Sequence, residues 1–140
     1  MTASTPRIGA DVIAQFLPNS PFVGKLGSVA DQLEGPEVRL RLPWEPGNVT
    51  VDDMVHGGAI APLADVAVMA AAWAQAEVPD SLRGVTMSMT VHYLAPARGT
   101  DLVAIGRVLR QGRTLVNCEV DVVTADGDAV AKPIATYKVG

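Results

Sequence analysis

The rhythm of apolar and polar positions changes along this chain, and each rhythm predicts an element. Between Asp11 and Leu17, the residues Val12, Ile13, Phe16 and Leu17 recur at spacings that share one side of a helix, and Pro18 ends the run. From Glu37 to Leu42 the period drops to two: Val38, Leu40 and Leu42 alternate with Glu37, Arg39 and Arg41, the signature of a strand with one buried face. Pro43-Trp44-Glu45-Pro46-Gly47-Asn48-Val49-Thr50 is broken by two prolines and a glycine and predicts a surface loop. After Gly57-Gly58 the run Ala59–Ala76, rich in alanine, leucine and methionine, is apolar nearly all round, so it predicts a helix that other structure must wrap. Pro62 falls near the start of that helix, where a missing N–H costs little.

The second half is dominated by Val, Thr and Ile, and it divides into four strands at Val85–Leu94, Asp101–Arg110, Arg113–Thr124 and Ala129–Val139. Arg110-Gln111-Gly112-Arg113 and Ala125-Asp126-Gly127-Asp128 are turn sequences, so the last three strands predict an antiparallel meander. Pro133 has no N–H to give to a ladder, which predicts a sheet edge or a bulge there. One long buried helix, one strand before it and four after it make an α+β architecture in which a curled antiparallel sheet wraps the helix. Such a sheet leaves edges to be covered, so a homo-oligomer is expected.

Length and composition limit the alternatives. With 140 residues, 49% of them apolar, the chain has the material for one core, and 1–140 is expected to form one domain with residues 1–26 as a helical extension packed on it. A net charge of −4 lacks the basic excess that nucleic-acid binding uses. One cysteine, Cys118, allows neither an intrachain disulfide nor a cysteine cage for zinc, and it is expected to pack in the sheet; a cytoplasmic location follows from that and from a start without a secretory signal pattern. The apolar stretch Ala59–Trp73 is shorter than a membrane span of about 20 residues and carries Asp65 and Pro62, so it is expected to be a core helix with no membrane contact.

The candidate chemistry gathers in Val55-His56-Gly57-Gly58-Ala59-Ile60-Ala61-Pro62-Leu63-Ala64-Asp65. Two glycines at a helix mouth let a ligand approach the backbone, and the unpaired N–H groups there suit an oxyanion; a tight entry into the helix would need the same glycines. Asp65 is the sole charged residue between Gly57 and Ala76. A carboxylate in such surroundings must be paired, protonated or used for chemistry. His92 has no second ligand at metal spacing and is expected to be structural, which leaves no metal site. Arg107, Arg110 and Arg113 cluster about one hairpin and are candidates for the phosphates of a substrate.

His56-Gly57-Gly58 with an acid nine positions after the histidine resembles the hot-dog thioesterases related to phenylacetyl-CoA thioesterase, the PaaI-like group. Val91-His92-Tyr93-Leu94-Ala95-Pro96-Ala97 is similar to that family's strand ending in an aromatic-Leu-x-Pro-Ala turn, and the Gly112-Arg113 hairpin is similar as well, so the likeness runs from about Pro43 to the C-terminus. The resemblance implies a hot-dog fold and hydrolysis of an acyl-CoA to free acid and coenzyme A. No cofactor is needed, since coenzyme A is part of the substrate. It further implies that the Gly57 N–H is the oxyanion hole and that Asp65, from the other subunit of a homodimer or homotetramer with shared sites, activates water or attacks the carbonyl. His56 would orient the substrate or its loop, and Thr86 would stand near the catalytic water. Gly58, Asn48, Arg110 and Arg113 would hold substrate. One departure stands out: many relatives carry Asn or Gln six residues before the histidine, where this chain has Thr50, so either Asn48 serves from a shifted register or the amide is lacking.

Two other readings compete. The enoyl-CoA hydratases of the same fold carry a Gly-Asp-x-Asn-Pro-x-His pattern that this chain does not have. A hot-dog module could also bind acyl-CoA without turning it over, but Asp65 within an apolar helix speaks against a pure binder. Leu63, Met69, Trp73, Met87 and Met89 are candidates to line the acyl pocket, with aryl and medium-chain aliphatic groups both open.

Overall fold

The computed structural model describes residues 9–140. Two short helices, α1 (Gly9–Phe16) and α2 (Pro21–Leu26), precede strands β1 (Val29–Gln32) and β2 (Glu37–Leu42). A small hairpin of β3 (Val49–Val51) and β4 (Met54–Val55) leads into the long helix α3 (Gly57–Gln75), and β5 (Gly84–Tyr93), β6 (Leu102–Gln111), β7 (Leu115–Thr124) and β8 (Ala129–Val139) complete the chain. The main sheet is antiparallel with strand order β1-β2-β6-β7-β8-β5, and α3 packs against β2, β6, β7, β8 and β5. This is the hot-dog fold, and β6–β7–β8 form the expected meander.

Period-two patterning builds the core. In β7 the residues Val116, Cys118, Val120 and Val122 point inward to α3, while Asn117, Glu119 and Asp121 face outward. Alanine lets helix and sheet approach closely: Ala64, Ala67, Ala70 and Ala72 are fully buried. At Gly106 in β6 an added Cβ would lie 2.9 Å from the Ala67 carbonyl oxygen and 3.3 Å from the Ala71 Cβ. Backbone cannot yield there as a side chain would, so Gly106→Val is expected to cost about 3 kcal/mol or more, measured as a shifted urea midpoint at constant m. Although α3 is long and apolar enough to cross a membrane by composition, it is wrapped by the sheet and by α1.

The outer face of the sheet carries an ion-pair network. Arg107 contacts Glu37, Glu119 and Asp121, and Lys132 contacts Glu119 and Asp121. Hydrogen bonds from Lys132 and then Arg107 hold the Asp121 carboxyl below its ordinary value. A depressed carboxyl stabilises the fold above its unfolded value, about 3.9, and loses that contribution as pH falls through the folded value. Below about pH 4 the melting temperature should therefore drop more steeply for the native chain than for Asp121→Asn. Arg107 is thus committed to the network and is not grouped with Arg110 and Arg113 at the hairpin, contrary to expectation.

Several local expectations need correction. Pro133 lies in β8, an interior strand, opposite Val91 of β5; the β7 ladder has no recorded pair at Lys132 and Pro133, so an interrupted ladder, not a sheet edge, accommodates the missing N–H. Pro62 is the sixth residue of α3, past the unpaired first turn, and its missing N–H leaves the Gly58 carbonyl without the usual i+4 donor. Strand β1 and helix α2 are also present, and the segment expected as loop ends in β3.

Candidate active site

His56 caps α3. Its backbone is extended (φ −67°, ψ 135°), and its Nδ1 accepts a hydrogen bond from the Gly58 N–H at 2.6 Å. The Ala59 and Ile60 N–H groups donate to the His56 carbonyl at 2.8 and 3.2 Å. That leaves the Gly57 N–H as the first-turn donor without a partner among the described residues. Tyr93 covers the same spot: its hydroxyl donates to the Gly57 carbonyl at 3.1 Å, and an added Gly57 Cβ would sit 3.4 Å from its ring.

The loop before α3 is fixed from several sides. The His56 N–H donates to the Asn48 carbonyl at 2.8 Å, and the Val55 N–H to the Ala97 carbonyl at 2.9 Å. The Trp44 indole donates to the Asp53 carbonyl at 3.0 Å, and its backbone N–H to Asp101 at 2.7 Å. Asn48 is brought beside His56 and Gly58, yet its amide donates to the Leu26 carbonyl at 3.3 Å, anchoring the loop to α2. Thr50 instead lines the cavity that holds Gly57 and Tyr93, so the position six before the histidine faces the Gly57 side.

Asp65 stands elsewhere on α3. It is half-buried, and its Oδ1 accepts a hydrogen bond from the Thr86 hydroxyl at 2.6 Å; none of the ion pairs among the described residues includes it. The two residues share a cavity of about 220 Å³ with Phe22 and Met69. Asp65 lies eight positions beyond Gly57, about 12 Å along a helix axis, so one chain does not bring the free donor and the carboxylate together. Because α3 and β5 run in opposite directions, Gly57 meets the Tyr93 end of β5 and Asp65 meets the Thr86 end.

The exposed Arg110 and Arg113 sit at the β6–β7 hairpin, next to the C-terminal end of β8 and the start of β5. They are at the Asp65 end of their own chain, remote from their own Gly57. Of the pocket candidates, Met69 and Trp73 do line a cavity, whereas Leu63 is core, Met87 is exposed and Met89 packs partly against the core. Cys118 is fully buried with its thiol pushed up to about 11 by burial, so it packs in the sheet as expected. Sequence reasoning missed the role of Tyr93 on Gly57, although the aromatic before Leu94-Ala95-Pro96 was its signal.

The model of the family described as the thioesterase superfamily matches residues 53–131, which span the helix cap, α3, the Thr86 strand, β6, β7 and the start of β8. The chain belongs to the thioesterase superfamily. Human acyl-coenzyme A thioesterase 13 is 35% identical over all of this chain and 99% of its own length. A thioesterase family protein from Silicibacter pomeroyi superposes with a TM-score of 0.85 at 25% identity, covering 94% of this chain and 99% of that one. The PaaI protein from the phenylacetic acid degradation operon of E. coli shares the fold, with a TM-score of 0.76 at 20% identity over 94% of each chain. As a thioesterase-superfamily member the chain is placed among hydrolases.

Proposed function

We propose that this thioesterase hydrolyses acyl-CoA thioesters in a site shared by two copies of the chain. The observation that carries the reading is the separation of the free Gly57 N–H from the Asp65–Thr86 pair, together with the unpaired edge of β5. Val85 and Met87 lie exposed along that edge, which is a liability unless a second strand covers it. If two β5 strands pair antiparallel about a twofold axis, the Thr86 end of each meets the Tyr93 end of the other, and Asp65 of the partner subunit comes to Gly57.

In such a site the thioester carbonyl oxygen accepts from the Gly57 N–H, aided by the positive end of α3. Thr86 holds Oδ1 of Asp65, leaving Oδ2 to take a proton from water as the water oxygen attacks the carbonyl carbon. The tetrahedral intermediate collapses, the C–S bond breaks, and the coenzyme A thiolate leaves and takes up the proton. Direct attack by Asp65 would instead pass through an acyl-enzyme anhydride. One turnover in heavy-oxygen water, read on both product and enzyme, tests for the anhydride: label in the Asp65 carboxylate with none in the product acid marks it, whereas label in the product places water on the acyl carbon in either route. Arg110 and Arg113, carried at the Asp65 end of the partner, are the groups proposed for the coenzyme A phosphates.

Release of free thiol from a panel of aryl and aliphatic acyl-CoAs tests the reading. Turnover of at least one member is expected. Binding of acyl-CoA with no turnover of any member would replace hydrolysis with a sensing role.

A further inference from the structure

Behind Asp65 a second chamber opens. The cavity that holds Asp65 and Thr86 shares Phe16, Met69, Gly84 and Tyr137 with a neighbouring one of about 410 Å³, which runs on along α3 to Trp73 and is walled by Val12 and Ile13 of α1. Its floor is closed by the Trp73 indole donating to the Tyr137 hydroxyl at 2.9 Å. Both side chains are buried, at 3% and 4% exposure, so their polar atoms are spent on each other and the floor is apolar. Apart from Arg83 at the outer end, no charged residue lines this chamber. From Asp65 to Trp73 is eight residues, about 12 Å, which is deeper than a single aromatic ring needs. The volume falls in the range of small-molecule sites, about 300–1,000 Å³.

Gly84 stands where the two cavities join. A Cβ there would collide with the Tyr137 hydroxyl and lie 2.9 Å from two of its ring carbons, so the glycine lets Tyr137 lie against the β5 backbone, and a larger residue would displace Tyr137 where the two cavities join. Its φ is not in the left-handed region, so backbone conformation does not require a glycine at this position.

We propose that this chamber takes the acyl chain of the substrate, that it selects an unbranched, uncharged medium-chain group, and that Gly84 is a specificity-determining residue at its neck. The proposal rests on the hydrolytic reading above and gives it a substrate class. A straight chain attached at a carbonyl beside Asp65 passes Gly84 and lays its methylenes along Met69 and Ile13 until the terminal methyl meets Trp73. Each methylene so buried strengthens binding about 4-fold, so the preference should climb with chain length and stop at the floor.

The test is kcat/KM across straight-chain acyl-CoAs from acetyl to hexadecanoyl, for the native protein and for Gly84→Ala. The native profile is expected to peak at a medium chain, and in Gly84→Ala the ratio of decanoyl to butyryl kcat/KM should fall about 10-fold or more. Val12→Phe narrows the chamber from α1 without touching the sheet, and it should move the peak the same way should Gly84→Ala fail to fold. A profile flat in chain length, or variants that lower every substrate equally, would overturn the chamber and leave hydrolysis standing. If the native protein turns over no acyl-CoA, the hydrolytic reading falls. The chamber is then read from Trp73 fluorescence in a Trp44→Phe background: a change with decanoyl-CoA but not with coenzyme A supports it, and equal responses overturn it.

Discussion

Asp65→Asn is expected to lower kcat by 10²-fold or more while KM and the melting temperature stay nearly constant. Asparagine keeps the shape of the side chain and an oxygen to accept from Thr86, whose hydroxyl lies 2.6 Å from Asp65 Oδ1. What it removes is the second carboxylate oxygen as a proton acceptor, and general-base catalysis contributes about 10² to 10⁴. Because the side chain is half-buried and belongs to no ion pair among the described residues, its replacement should alter stability by no more than about 0.5 kcal/mol. Steady-state kinetics and thermal unfolding of one preparation check both halves. A loss of kcat with an equal loss of stability would make Asp65 a structural partner of Thr86, and an undiminished kcat would remove it from the chemistry. Thr86→Ala should act more mildly than Asp65→Asn, since it removes the group that orients the carboxylate and spares the carboxylate itself, and Thr86→Ser should restore activity.

Much of this was legible in the residues, and the reasons differ from element to element. The wrapped helix could be read because Ala59–Ala76 has no polar side that water could occupy, and a helix of that kind has few places to go. The meander could be read because β7 alternates without a fault from Val116 to Val122 and its turns carry glycine. Strand β1 could not, since all four of its residues are exposed and no alternation marks them; it exists by pairing with β2. Nor could α2, six residues long, be told from a loop at such a length. Pro133 misled because strand position depends on which neighbours a strand acquires, and that is decided by the whole sheet.

The site divides along the same line. His56, Gly57 and Gly58 are contiguous, so their joint role at one helix terminus follows from local spacing. The Asp65–Thr86 contact joins α3 to β5 across 21 positions, and only the resemblance to a family pointed to it. Tyr137 and Trp73 are 64 positions apart, and no pattern in either segment announced their hydrogen bond. Asn48 lay near the motif in sequence, but its amide is taken up by Leu26, a partner that periodicity does not reveal.

Gly57→Pro is expected to be the cleanest test of the oxyanion donor, with kcat falling about 10²-fold to 10³-fold. Gly57 is the first residue of α3, where proline is well tolerated, and His56 before it already holds the extended backbone that a following proline demands. The substitution removes one N–H and asks only that the exposed Tyr93 ring yield slightly to the new carbons. Stability should change little. Mixing then decides whether the site is shared. Neither Gly57→Pro nor Asp65→Asn alone has an intact site, but a mixed dimer joins the Gly57 of one chain to the Asp65 of the other and so regains one of its two. Refolding equal amounts together should return about a quarter of native activity, because about half the dimers are mixed and each holds one working site. A mixture as inactive as its parents would put the donor and the acid of each site on the same chain, and the roughly 12 Å between them along α3 would then have to be closed by substrate-driven movement.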